Sequence, residues 1–174
     1  MKSGRIGSGR RVGVRTRRNR SSPEDWIQLA VRFLARRDRT VAQVEQFLAS
    51  KGASPIHIRQ AVRRLSDLKY LNDQVYAQRW VDNRLASRPV GQERLKAELQ
   101  AKGIAETLAD QVVVQAFHEH DEATLAHRVV KGKNRQGRRL TRVQIVRLLR
   151  QRGFGEETID HMIGGLVDRE GSDS

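Results

Sequence analysis

One thirteen-residue frame occurs three times in this chain: TVAQVEQFLASKG from Thr40 to Gly52, GQERLKAELQAKG from Gly91 to Gly103, and TRVQIVRLLRQRG from Thr141 to Gly153. In each copy the fifth and ninth positions are apolar: Val44 and Leu48, Leu95 and Leu99, Ile145 and Leu149. A separation of four puts the two on one face of a helix. Thr40 with Gln43, and Thr141 with Gln144, read as capping boxes at the helix start, where a side-chain oxygen satisfies an orphan backbone N–H. Gly91 takes the same place as a weaker cap. Lys51, Lys102 or Arg152 then sets a cation beside the negative helix end, and the glycine after it can adopt the left-handed conformation that closes a helix. Each frame therefore specifies one helix with both ends marked.

Apolar residues at helical spacing also precede and follow each frame. Ile27, Ala30, Val31 and Leu34 lead into the first, and Ile58, Val62 and Leu65 follow its glycine. Leu108 and Val112 follow the second; Ile159, Ile163 and Leu166 follow the third. The preceding helices fall at roughly 24 to 37, 73 to 87 and 120 to 131. The unit is thus three helices in about 50 residues, which buries too little apolar surface to stand alone, so neighbours stack and share a core. The expected fold is all-α: an elongated, curved array of three tandem three-helix repeats, each helix-turn-helix-like. Its expected divisions are a disordered basic tail (1–22), repeats at 23–69, 70–119 and 120–167, and a C-terminal tail (168–174).

Charge is unevenly placed. The formal net charge is +14, and residues 1 to 22 hold eight basic residues and no acidic one. A second basic run, from Arg128 to Arg142, contains Lys131, Lys133, Arg135, Arg138 and Arg139 and no carboxylate. Such blocks favour a polyanionic partner, nucleic acid or nucleoprotein, through release of condensed counterions. The plain alternative for the tail is a solvated segment with no fixed contact.

Several function classes find no support. The chain has no cysteine, which removes disulfides, thiolate nucleophiles and Cys-ligated zinc. His118, Glu119, His120 and Asp121 cluster, but residues two apart on a helix point about 200° apart, so the two histidines do not close on one ion. A polar helix junction is the expectation there. No Ser-His-Asp or paired-carboxylate arrangement stands out, so no enzyme activity, metal or cofactor is expected. Trp26, Phe33, Phe47, Tyr76, Trp80 and Phe117 fall on apolar stripes and read as core rather than as stacking platforms. No apolar run reaches the ~20 residues that span a bilayer, and a cytoplasmic monomer is the expectation.

Four segments together carry a resemblance. Arg36-Arg37-Asp38 precedes the first capped helix, and Tyr70-Leu71-Asn72-Asp73 runs into Tyr76-Ala77 and Trp80. Gly91, Arg94-Leu95, Glu98-Leu99 and Lys102-Gly103-Ile104 form the middle motif, and Arg152-Gly153-Phe154 closes the third frame. In this order and separation they resemble the RecX family of RecA regulators over roughly residues 24 to 167. Ala53 departs from the pattern, which more usually has a larger apolar residue there, and the basic tail lies outside it.

The resemblance implies a non-enzymatic modulator that binds the RecA filament on DNA and lowers its ATPase, strand-exchange and co-protease activities. The basic residues Lys131, Lys133, Arg135, Arg138, Arg139 and Arg142 are then candidate contacts to RecA or DNA. Weak binding of single- and double-stranded DNA without strong sequence preference is the accompanying expectation. Two rivals stay open: a helix-turn-helix module acting directly on DNA, and an RNA-binding or ribosome-associated protein.

Overall fold

The computed structural model describes residues 22–134 and 139–171, with side chains described through 165. The basic tail, Arg135 and Arg138 lie outside the described residues. Among those described there are nine α-helices: α1 (Pro23–Leu34), α2 (Val41–Ser50), α3 (Pro55–Asp67), α4 (Asp73–Ser87), α5 (Gln92–Gln100), α6 (Glu106–Glu119), α7 (Glu122–Asn134), α8 (Arg142–Gln151) and α9 (Glu156–Gly171). They contact one another in threes: α1 to α3, α4 to α6 and α7 to α9.

Local chemistry fixes the helix ends. Ser22 accepts from the Asp25 N–H and Pro23 opens α1; Ser54 and Pro55 do the same for α3, and Asn72 caps α4. The three frame helices are α2, α5 and α8, and Gly52, Gly103 and Gly153 close them with φ of 88°, 82° and 73°. At the end of α3 the same left-handed position holds Lys69, with φ 61°. α1 stops at Leu34, three residues short of the expected end, and a turn carries the chain to Thr40.

The core departs from the expectation of one shared interior. Ala77, Leu85, Leu95 and Leu99 of the second unit form one continuous cluster with Leu125, Val129, Ile145, Leu149 and Phe154 of the third. The first unit has its own cluster, built on Trp26, Ala30, Val44, Leu48, Ala61 and Leu65 and closed by Leu71. Periodicity identifies an apolar face without saying which neighbour covers it. Here α1, packed on both α2 and α3, covers the first unit from within.

Candidate nucleic-acid and protein interface

The repeat frame builds the joints between units. At the first joint, the Thr40 hydroxyl donates to the carbonyl of Lys102 at 2.7 Å, and Gly103 sits so close that a Cβ on it would overlap the Cβ of Ala42. The Val41 N–H donates to the Asp73 carboxylate at 2.9 Å, so the second unit supplies a capping group to the first unit's α2. Burial pushes the Asp73 carboxyl above its ordinary range, and that hydrogen bond works against the shift. Thr40 also accepts from the Gln43 N–H at 3.2 Å, so its hydroxyl serves α2 and the joint at once.

The second joint repeats the device with different atoms. Here the backbone N–H of Gly91 donates to the carbonyl of Arg152 at 2.9 Å. A Cβ on Gly91 would overlap the Gly153 carbonyl, and one on Gly153 would lie 2.5 Å from the Cβ of Arg94. Glycine stands at the cap because the next unit's glycine turn needs the room. Arg152 donates to Pro89 O at 3.1 Å, and Arg128 donates to Ala86 O at 2.9 Å. In both joints, then, the residue before the frame glycine presents its carbonyl to the N-cap position of the preceding unit.

The two outermost frame ends carry no such joint. A Cβ on Gly52 would meet nothing within 4 Å. Thr141 forms the complete capping box with Gln144 and is exposed, whereas Thr40 is fully buried. Val143, the frame equivalent of Ala42, is 77% exposed.

Some of the motif residues singled out in the sequence fall at these joints, and others hold the second unit together. Glu98 takes a two-point ion pair from Arg84, at 2.8 and 3.0 Å, and a further contact from Arg94 at 3.1 Å. The Arg84 hydrogen bond is the main reason the Glu98 carboxyl is held below the usual glutamate range. Lys102 Nζ lies 4.8 Å from the centre of the half-buried Trp80 ring. Asn72 accepts from the Val75 N–H at 3.0 Å, Tyr76 is half-buried beside Asp73, and Phe154 is buried in the larger core. Lys102 and Arg152 therefore have structural work as well as charge, and Gly103 and Gly153 make room for the joints.

Of the candidate contact residues, Lys131, Lys133, Arg139 and Arg142 are exposed on the third unit. Asn134 accepts from the Leu140 N–H at 3.0 Å, which ties the end of α7 to the start of α8. Arg139, Leu140, Thr141 and Arg142 line a shallow groove of about 290 Å³ there. On α8, Arg142, Val143, Val146 and Arg147 make a mostly apolar, arginine-flanked surface, while Arg150 is taken up by Glu156 at 2.7 Å.

Reading unbroken basic runs missed a second concentration of charge. Arg84, Arg88, Arg94 and Arg152 gather at the second joint around Glu98 and Pro89, and burial together with the other three arginines lowers the Arg152 pKa. These residues are scattered over nearly 70 positions, and only the stacking of units brings them together. His118 lies in α6, His120 ends it, and Asp121 caps α7 by accepting from the Thr124 N–H at 2.8 Å, so the histidine cluster is a helix junction. No group of three or more metal-ligating side chains occurs among the described residues. No helix among them is long and apolar enough to cross a membrane.

Comparison with known proteins gives this geometry a family. The model described as the first three-helix domain of RecX matches residues 27–65, and that of the second three-helix domain matches residues 72–113. The chain belongs to the RecX family. A regulatory protein RecX from Geobacillus sp. (strain WCH70) is 30% identical over 137 residues, covering 77% of this chain and 51% of the relative. One from Treponema pallidum (strain Nichols) is 28% identical over 144 residues, covering 83% and 85%. The crystal structure of RecX from Lactobacillus salivarius has the same fold, with TM-score 0.68 and 24% identity over 83% of this chain and 96% of that one. This RecX-family chain spans about half the length of the Geobacillus and Leuconostoc citreum relatives. The Geobacillus, Treponema and Leuconostoc relatives are named as regulatory proteins.

Proposed function

We propose that this chain is a non-enzymatic modulator, mainly an inhibitor, of the RecA recombinase, acting as a cytoplasmic monomer on the RecA filament assembled on DNA. Binding lowers the filament's ATP hydrolysis, strand exchange and stimulation of repressor self-cleavage. The observation that carries this reading is the ordered match of two RecX three-helix domains to the first two units of the array. The joints add a physical reason. Units joined by hydrogen bonds across their joints hold several weak contact surfaces in fixed relation, and several contacts in one body multiply into useful avidity. Exposed Lys131, Lys133, Arg139 and Arg142 suit an anionic surface, whether DNA phosphate or acidic protein.

The test is co-sedimentation with preformed RecA filaments on single-stranded DNA. Retention by the filament well above retention by the same DNA without RecA supports the reading, and equal retention contradicts it. A second reading, a helix-turn-helix module acting directly on duplex DNA, draws on the exposed Arg142, Val143 and Arg147 of α8. Such a module binds one duplex sequence at least about a thousandfold more tightly than random duplex, whereas a filament regulator has almost no such ratio.

A further inference from the structure

Between the first unit and α4 lies a groove of about 380 Å³ whose lining includes Asp38, Arg39, Lys69, Tyr70, Tyr76 and Arg79. It is distant in sequence from the basic run of the third unit. Three cations face one carboxylate, and Asp38 pairs with Arg79 at 3.3 Å with both side chains about two-thirds exposed. The lining is therefore net positive, and an anion can compete for Arg79.

Tyr70 is 59% exposed and is the more open of the two tyrosines lining the groove, Tyr76 being half-buried. Phe33 is sandwiched by Phe47 and Arg39, Trp80 is covered by Lys102, and Trp26 stacks on His57. Among the described residues no ring or cation covers Tyr70. Arg39 is fixed with its guanidinium carbon 4.3 Å over Phe33, and its Nε is buried with no acceptor among the described residues. The frame helices use glycine in the left-handed position that ends a helix, yet α3 ends there on Lys69. The left-handed backbone carries a steric cost that glycine would not incur, and it holds a cation at the groove rim.

We infer that this groove binds one nucleotide of a single-stranded nucleic acid, with the base stacked on Tyr70 and the phosphate held by Arg39 and Lys69. A base in a duplex has no free face to offer, which makes the site selective for unpaired strands. Arg79 is available to a neighbouring phosphate once Asp38 releases it. This inference goes beyond the RecA reading and does not need it, because the site takes the strand itself.

The test uses the full chain and a fluorescein-labelled oligothymidylate, with binding measured across a series of salt concentrations. Tyr70→Ala should weaken binding about five- to a hundredfold, the range of one base–aromatic stack. Tyr70→Phe should restore it to within about twofold, because the ring is the operative group. An abasic oligomer of equal length should bind wild type no more tightly than the intact oligomer binds Tyr70→Ala. Lys69→Gly should weaken binding while raising the melting temperature, since it relieves the backbone; a purely structural lysine would move only the melting temperature. Normal binding by Tyr70→Ala overturns the inference, as does equal binding of abasic and intact strands. An acidic peptide that displaces the strand from wild type and binds Tyr70→Ala equally well also overturns it, because the groove would then be a site for a protein segment.

Discussion

The hydroxyl of Thr40 donates a 2.7 Å hydrogen bond to the carbonyl of Lys102, 62 residues along the chain, while it caps α2 by accepting from Gln43. Thr141 holds the same place in the third frame but caps only its own helix. Thr40→Val should therefore cost about 2 to 4 kcal/mol, combining a lost cap with a part-buried carbonyl left unpaired, whereas Thr141→Val should cost about 1 kcal/mol. Thr40→Ser should recover most of the difference. Thermal and urea unfolding of the three variants measures it; equal losses at Thr40 and Thr141 would mean the joint contributes nothing.

The frame glycines make a second comparison. Gly52 and Gly103 both have φ above 80°, so alanine is strained at either, by about 1 kcal/mol. Only Gly103 also presses on Ala42. Gly103→Ala should thus lower stability clearly more than Gly52→Ala, and Gly103→Val more again. The double change Gly103→Ala with Ala42→Gly should return part of the loss, which double-mutant unfolding data would report as coupling between the sites.

Acid should loosen the contact between α4 and α5 within the second unit. The Glu98 carboxyl is held below its ordinary range by Arg84, so its contribution is fully present above the unfolded glutamate pKa of about 4.3 and is lost as pH falls through the lower folded value. Glu98→Gln should be less stable than wild type at neutral pH, and the gap should close as pH falls below the unfolded glutamate value of about 4.3. Unfolding midpoints measured across that window check the sign; a gap that widens on acidification would contradict the assigned ion pair.

Much of this was legible from residues alone, for a physical reason. Helix ends are local events, and Thr40, Thr141, Gly52, Gly103 and Gly153 announce them through side chains that bond within three or four residues. The joints were not legible, because the same Thr40 hydroxyl and Lys102 carbonyl also satisfy purely local readings. Gly91 looked like a weak cap, and only the packing of Gly153 against it explains why a larger residue does not stand there. In the sequence Tyr70 is only part of a motif; its exposure depends on where α4 lies relative to α3, which no single-helix pattern encodes.

Charge reversal separates the third unit from the tail. Arg138, Arg139 and Arg142 changed together to glutamate place wrong-sign charge beside α8, and like-charge juxtaposition at an interface costs several kcal/mol. Filament binding should be lost with helical content unchanged by circular dichroism. Deleting residues 1 to 22 should instead flatten the salt dependence of single-strand binding, by at most about 0.7 in slope per cation that meets a phosphate, and leave filament binding in place. The reverse pair of results would move the function into the tail.

The most direct measurement of the central claim is RecA's ATP hydrolysis on single-stranded DNA while this chain is titrated in. A regulator whose several units act on one filament should slow hydrolysis at well below one chain per RecA subunit, and adding bare DNA in excess should not reverse the effect at once. Hydrolysis unchanged at equimolar chain, with RecA shown to be active and the chain shown to be folded, would contradict it.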